Sequence, residues 1–385
     1  MSLLKQTLLN TYVRTVRLLS GVDEKKVLFA SFSGKSYSDN PKAVSEALHE
    51  MAPDAKIVWL TNDPENKKGC FPDYVRLVDV GDQFAMYKEM ATAAAHLTNF
   101  NLVTVPKSKK QMFIQTWHGD RGFKKILHDS TFFSDKVLAE EIDGYCDLAV
   151  AGSKFGEDVL RTAFWYKGRI LLEGTPRNDA LVEADPLKRA AIRQQLKLAE
   201  DVKVLLYAPT LRRQANKSKE KQQVRDLDIS ATLTVLEKRD GCKWMCLLRA
   251  HPAMVGLCGV GEDSRILDVS GYEDMADLLL SADMLITDYS SCAGDFVLLN
   301  RPLVLFHADR QEYLEKDRTF YFDMEQSPFM VAEDQDQLET IISELTPEKA
   351  VQNCKEILAF YGTEETGHAA HAVAGIIKDW IYRKK

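Results

Sequence analysis

The stretch Leu278–Phe306, LLLSADMLITDYSSCAGDFVLLNRPLVLF, constrains the fold more than any other part of the sequence. It reads as helix end, buried strand, tight loop, helix and strand. Met284-Leu285-Ile286 is a short apolar run of the kind that fills the middle of a parallel sheet. It stops at Thr287-Asp288-Tyr289-Ser290-Ser291, where every side chain carries a hydroxyl or a carboxylate. Helical spacing follows over Ala293–Leu299, Arg301-Pro302 ends that helix, and Leu303–Phe306 reads as the next strand. A polar loop that leaves the carboxyl end of a parallel strand and opens a helix is where open α/β sheets bind ligands. The helix start offers backbone N–H groups and a partial positive charge to a phosphate. Ser290 and Ser291 add hydroxyl donors; on the plainer reading, one of them only caps the helix.

A chain of 385 residues is long enough for two domains, and 45% hydrophobic residues suffice for ordinary cores. A formal charge of −7 argues against a broad nucleic-acid surface. The seven cysteines are scattered, odd in number and without a CxxC pair, which reads as reduced thiols in a cytoplasmic protein. No apolar run approaches the roughly 18–20 residues that cross a bilayer, and no signal peptide is evident.

Apolar residues 4, 8, 12, 16 and 19 form one stripe of a helix over 2–20 whose only charges, Lys5, Arg14 and Arg17, are positive. Such a helix suits either an anionic membrane surface or packing on its own domain. Val27–Phe32 is a first strand, running into SGKSYSDNP. GKS resembles the end of a P-loop, but the earlier glycine is absent, so an NTPase is rejected. Strands alternate with helices from there on, which predicts a doubly wound α/β chain. The second alternating series starts at Val202–Tyr207. The expected division is an N-terminal domain over 1–185, a C-terminal domain over 186–365, and a helix over 366–385 that could return to the first. Polar clusters end several of the strands: Trp117-His118-Gly119-Asp120-Arg121, Ala208-Pro209-Thr210-Leu211-Arg212, Arg249-Ala250-His251-Pro252 and the Thr287–Ser291 run. In two facing sheets all four could line one cleft. His118, directly after a buried strand, is placed to take a proton from a hydroxyl near neutral pH; alternatively it only bonds to structure. No Asp/Glu/His cluster has a metal-ligand spacing, so no tightly bound metal is expected, although Mg²⁺ could accompany a diphosphate.

QTWHG (115–119), GTPRND (174–179), YAPTLR (207–212), RAHP (249–252) and TDYSSCAGDF (287–296) together resemble the motifs of the CDP-glycerol glycerophosphotransferases of teichoic-acid synthesis. SFSGKSYSDNPKAV (31–44) and YFD (321–323) extend the likeness across both expected domains. The resemblance implies two Rossmann-like domains in a GT-B-like arrangement with a central cleft. It implies transfer of an alditol phosphate, glycerol phosphate first, from a CDP-alditol to a hydroxyl of a polyprenyl-diphosphate-linked acceptor, with release of CMP. It also implies work on the cytoplasmic face of the membrane, as a peripheral protein. Ribitol phosphate transfer from CDP-ribitol and nucleotide-sugar transfer on the same fold stay open, as do primase against polymerase and the oligomeric state.

By the same resemblance, His118 would be the catalytic base, and His251 with Arg249 would face the donor pyrophosphate. Ser290, Ser291 and Asp295, with Thr287, would contact the donor, as would Pro209, Thr210 and Arg212; Arg177 is the arginine of the PRND-like segment. Gly119, Asp120 and Arg121, in the loop beside the base, would also contact substrate. There the sequence departs from the family: WHGDRGFK stands where WHGTPLK is usual, and Gly294 stands where a bulky residue is common. The second departure predicts extra space behind Asp295.

Overall fold

A computed structural model of the protein describes residues 3–100, 105–130, 144–210, 227–250 and 263–383. Contacts divide the chain into two compact units, one of residues 1–118, 132–179 and 364–385, the other of 119–131 and 180–363. The division is therefore not a single cut. Residues 119–130 leave the first unit directly after His118, and the last helix returns to it.

The first unit is built on a parallel sheet of β1 (Asp23–Ala30), β2 (Lys56–Thr61), β3 (Arg76–Asp79), β4 (Ala93–Thr98), β5 (Met112–Gln115), β6 (Leu148–Ala151) and β7 (Arg169–Leu172). Their spatial order is β3-β2-β1-β4-β5-β6-β7. The order reverses between β1 and β4, whose pairing sets Val27 beside Ala95 and Ala30 beside Thr98. Both faces are covered, as a parallel sheet requires. One face carries α1 (Leu3–Ser20) and α3 (Gln83–Thr92), packed through Val13, Met86 and Met90 onto Leu28, Val58 and Phe113. The other carries α2 (Asp39–Met51) and the helix Ala369–Ile381, which buries Val373, Ala374 and Ile377 against Val27, Phe29 and Trp59. Each buried Val, Leu, Ile, Phe or Met side chain contributes about 1.5–3 kcal/mol.

On α1 the packed stripe is Leu9, Tyr12, Val13 and Val16, which keeps Tyr12 and Val16 of the expected one. Leu8 is 64% and Leu19 81% exposed, because the helix is rotated to set Tyr12 edge-on against Phe84, 5.3 Å between ring centres. Arg17 crosses to α3 and donates to the Ala91 carbonyl at 3.0 Å.

The second unit repeats the topology. Strands β8 (Lys203–Ala208), β9 (Trp244–Leu248), β10 (Ile266–Asp268), β11 (Met284–Thr287), β12 (Leu303–Phe306) and β13 (Val331–Ala332) run in the order β10-β9-β8-β11-β12-β13, all parallel. Its switch point lies between β8 and β11, where Thr287 pairs with Ala208. Residues 119–130 are held to this unit by the backbone. Lys125 N–H donates to the Thr319 carbonyl at 2.9 Å, and Tyr321 N–H to the Phe123 carbonyl at 2.8 Å. Phe123 is 1% exposed and meets the Phe320 ring edge-on at 5.3 Å. The edge strand Val331–Ala332 and the helix Arg310–Lys316 are additions to the elements read from sequence.

Candidate functional site

In the first unit the chemistry gathers where the sheet order reverses. β1 ends in Ser31 and Phe32, β4 in Asn99, and β5, next to β4, in Thr116, Trp117 and His118. The chain turns sharply here: Phe32, Ser33, Asp39 and Trp117 all have φ between 46° and 63°, in the left-handed region. Non-glycine residues held there cost on the order of 1–3 kcal/mol each and persist only when their surroundings impose them. The surroundings are explicit. The Asn99 side chain accepts from Phe32 N–H at 2.8 Å and donates to Asp39 Oδ1 at 2.8 Å. Asn40 Nδ2 donates to the Trp117 carbonyl at 2.9 Å, which fixes the residue before His118.

His118 Nδ1 lies 2.8 Å from the Asn99 backbone carbonyl. A carbonyl only accepts, so Nδ1 carries the hydrogen and Nε2 is the basic nitrogen of the neutral ring. The ring sits among Phe100, Trp117 and Phe32, with ring centres 5.2, 4.2 and 5.5 Å away. It is half-buried and oriented, as a general base must be.

Arg177 belongs to the same unit. Its N–H donates to Asn40 Oδ1 at 2.9 Å and its guanidinium pairs with Asp39 at 3.5 Å. The side chain is 7% exposed, so the arginine ties the PRND segment to the start of α2. The same segment caps the returning helix, since Asp179 accepts from Ala369 and Ala370 N–H at 2.9 and 2.7 Å.

In the second unit the loops after β8 and β11 are joined by Asp288. One carboxylate oxygen accepts from Thr210 N–H at 2.9 Å, from Tyr289 N–H at 2.5 Å and from the Thr210 hydroxyl. Asp288 is 4% exposed and was not among the candidates; its position directly after a buried strand was the available signal. Behind it, His307 Nε2 lies 3.0 Å from the Asp288 carbonyl, and Tyr289 stacks between His307 and Tyr313 at 4.5 and 3.7 Å. Pro209 is buried, and Thr210, Ser290 and Ser291 are half-buried.

The helix that follows is short: Cys292–Phe296, then one 3₁₀ turn over Val297–Leu299. Its first amides are already engaged, Cys292 N–H with Ser290 Oγ at 3.3 Å and Gly294 N–H with the Ser291 carbonyl at 3.0 Å. This corrects the expectation of open amides at its start: Ser291 is the N-cap residue and makes no side-chain cap bond, while the Ser290 hydroxyl accepts from Cys292 N–H. Ser291 instead lies beneath the 119–122 loop, where a Cβ on Gly119 would stand 3.0 Å from its hydroxyl.

Three further expectations change. Thr287 is fully buried and its hydroxyl donates to the Ala208 carbonyl at 2.6 Å, so it braces the sheet and does not face a ligand. Arg121 is likewise enclosed, at 0% exposure. It donates to the Gly294 carbonyl at 2.7 Å and pairs with Asp295 at 3.2 Å and Asp120 at 3.3 Å. Finally, there is no extra space behind Asp295, because Arg121 fills the volume that Gly294 vacates.

Arg249 N–H donates to the Tyr207 carbonyl at 2.8 Å, which sets the residue beside the end of β8. Its guanidinium donates to the Ser270 carbonyl, burial pushes its pKa below the usual value, and Nε has no hydrogen-bond partner among the described residues. His251 and Arg212 lie outside the described residues. Among the described residues no three His, Cys, Asp or Glu side chains are grouped to hold a metal ion.

Residues 11–363 match the family described as CDP-Glycerol:Poly(glycerophosphate) glycerophosphotransferase. The teichoic acid glycerol-phosphate transferase of Staphylococcus aureus is 32% identical over 339 residues, 83% of this chain and 84% of that protein. The teichoic acid poly(glycerol phosphate) polymerase of Bacillus subtilis is 32% identical over 320 residues, 79% of this chain. The match spans only 41% of that polymerase's length. The teichoic acid ribitol-phosphate primase of Bacillus spizizenii is 27% identical over 386 residues, 96% of this chain and 95% of that one. Among solved structures, a variant of the wall teichoic acid polymerase TagF soaked with CDPG superposes with a TM-score of 0.84 at 26% identity, covering 98% of this chain and 96% of the other.

Proposed function

The chain belongs to the CDP-glycerol:poly(glycerophosphate) glycerophosphotransferase family, and we propose that it transfers glycerol phosphate from CDP-glycerol to a hydroxyl of a polyprenyl-diphosphate-linked acceptor, with CMP leaving. The observation that carries this reading is the fixed tautomer of His118. With Nδ1–H held by the Asn99 carbonyl, Nε2 takes the proton of the acceptor hydroxyl. The freed oxygen attacks the phosphorus that bears the glycerol. The bond from that phosphorus to the bridging oxygen breaks, and CMP departs with the electron pair. A positioned base contributes about 10²–10⁴-fold. Fixed donors on the phosphate oxygens supply the electrostatic part of the acceleration.

In this reading the second unit holds the donor through Thr210, Ser290 and Ser291, with Arg249 and His251 toward the diphosphate. Asp120, Arg121 and Asp295 hold the neighbouring loop in shape. A Mg²⁺ ion would travel with the donor diphosphate. The exposed face of α1, with Leu8, Leu18 and Leu19 beside Arg14, would rest on an anionic membrane surface at the cytoplasmic face. Among the described residues no helix is long and apolar enough to cross a membrane.

The full-length match to a ribitol-phosphate primase supports a second reading, in which CDP-ribitol is the donor. One experiment decides between these and sugar transfer. The protein is incubated with a lipid-linked acceptor and CDP-glycerol or CDP-ribitol labelled with ³²P in the phosphate next to the alditol. Label in the lipid product, with unlabelled CMP, is the expected outcome. Label that stays on the nucleotide while the product grows would overturn phosphate transfer.

A further inference from the structure

Glu365, early in the segment that returns to the first unit, sits in a seat shaped for its carboxylate. Its Oε2 accepts from Thr175 N–H at 2.8 Å and its Oε1 from Asn178 Nδ2 at 3.0 Å. Both donor residues are buried, Thr175 at 3% and Asn178 at 0% exposure. Two glycines leave the volume. A Cβ on Gly152, directly after β6, would stand 2.4 Å from Oε1, and one on Gly174, whose φ is +118°, would stand 2.8 Å from Oε2. Hydrogen bonds to a carboxylate are roughly twice as strong as those to a neutral acceptor.

The last helix has anchors of its own: Asp179 on Ala369 and Ala370 N–H, and Val373, Ala374 and Ile377 in the core. What Glu365 holds is the backbone on either side of Arg177. From there Arg177 N–H donates to Asn40 Oδ1 at 2.9 Å, and Asn40 Nδ2 donates to the Trp117 carbonyl at 2.9 Å. Trp117 is held at a φ of +52°, and His118 follows it. A short series of hydrogen bonds, all inside the first unit, thus connects position 365 to the backbone that carries the imidazole.

We propose that Glu365 is a positioning residue for His118. Through the 174–179 segment and Asn40 it keeps the Trp117 backbone where the His118 ring meets the Asn99 carbonyl, and it touches no substrate itself. That carbonyl sets which ring nitrogen carries the hydrogen. A reacting group displaced by about 1 Å can cost on the order of 10²-fold in rate, so a tie this far along the chain reaches the chemistry. The role rests on the reading of His118 as the base.

The test uses the whole chain with ¹⁵N in its histidine rings, the His118 signals being assigned with His118→Gln. In the wild type the hydrogen should sit on His118 Nδ1. Glu365→Ala should move the ring toward the Nε2–H form as its hold on the Asn99 carbonyl loosens, and Asn40→Ala should do the same, while His307 of the second unit stays unmoved. In single-turnover transfer Glu365→Ala should lower the rate by about 10- to 10²-fold, with the Kd for CDP-glycerol within about twofold. The double variant should be no slower than Asn40→Ala alone, whereas independent effects would multiply. If Glu365→Ala fails to fold, Glu365→Gln, which keeps one acceptor oxygen, carries the same comparison with a smaller effect. An unmoved His118 ring in a folded Glu365 variant, or rate losses that multiply in the double variant, would overturn the role. A wild type that transfers no alditol phosphate would instead overturn the reading of the reaction, and the ring signal alone would then decide the role of Glu365.

Discussion

Arg121 and Gly294 occupy one volume: a Cβ built on Gly294 would stand 2.4 Å from both the Cβ and the carbonyl oxygen of Arg121. The two departures from the family's usual motifs, 173 residues apart in the chain, are therefore a single packing arrangement. The guanidinium then closes it by pairing with Asp295 and Asp120, whose side chains are each 6% exposed.

Removing either half should be costly. Arg121→Ala leaves two buried carboxylates facing each other and should destabilise the second unit by about 3–5 kcal/mol. Gly294→Ala should cost roughly 1–3 kcal/mol or more through overpacking. Combining them should not rescue stability, because one of the closest atoms is a backbone oxygen that Arg121→Ala retains. Urea unfolding of the three variants checks this; a double variant more stable than both singles would refute the shared-volume account.

His118→Ala should lower kcat by about 10²–10⁴-fold and leave the Kd for CDP-glycerol within about twofold, since the base is assigned to the acceptor's proton and not to the donor. Equilibrium dialysis with labelled CDP-glycerol and single-turnover transfer separate the two quantities. Turnover near the wild-type value would remove His118 from the role.

Asp288 gathers Thr210 and Tyr289 N–H on one carboxylate oxygen. Asp288→Ala should free both loops and raise KM for the donor about tenfold or more, a loss of roughly 1–3 kcal/mol for the orphaned groups. Asp288→Asn keeps an acceptor oxygen and should fall between. Steady-state kinetics over a range of CDP-glycerol concentrations tests the ordering.

Acid stability should depend on His307. Burial pushes its pKa from the ordinary 6.5 down to about 4, and its Nδ1 is buried without a hydrogen-bond partner among the described residues. The unfolded chain thus binds the proton more tightly than the folded one. Stability is complete above pH 6.5 and falls as pH drops toward 4, by up to roughly 3 kcal/mol. His96, held lower still, acts in the same direction. His307→Gln should flatten the urea midpoint against pH between 7 and 4.5; an unchanged slope would show that the imidazole does not control it.

Most strands were legible because parallel strands buried on both faces read as apolar runs, as in KVLLYA before Pro209 and MLIT before Asp288. A side-chain cap marks one helix start in the sequence, Ser153 before Lys154–Thr162, where its hydroxyl accepts from Gly156 N–H. Val331–Ala332 left no such trace, since two residues carry no period. The placement of residues 119–130 was illegible for another reason. It rests on contacts such as Tyr321 Oη to Asp129, 192 residues apart, which no local pattern encodes. Arg121 shows the limit for site residues. A cation after a histidine and a glycine looks like a ligand contact, and only the positions of Asp120, Asp295 and Gly294 reveal it as interior.

The helix Ala369–Ile381 supplies Ala370, Val373, Ala374, Ile377 and Ile381 to the first unit's core, and its Trp380 indole donates to the Ala94 carbonyl at 2.9 Å. A ribosome working from the other end therefore finishes the entire second sheet while one face of the first still lacks one of its two covering helices. The earliest-made half is the later to mature, and until translation has passed Ile381 the part of β1 and β4 that this helix covers offers hydrocarbon to any chaperone within reach.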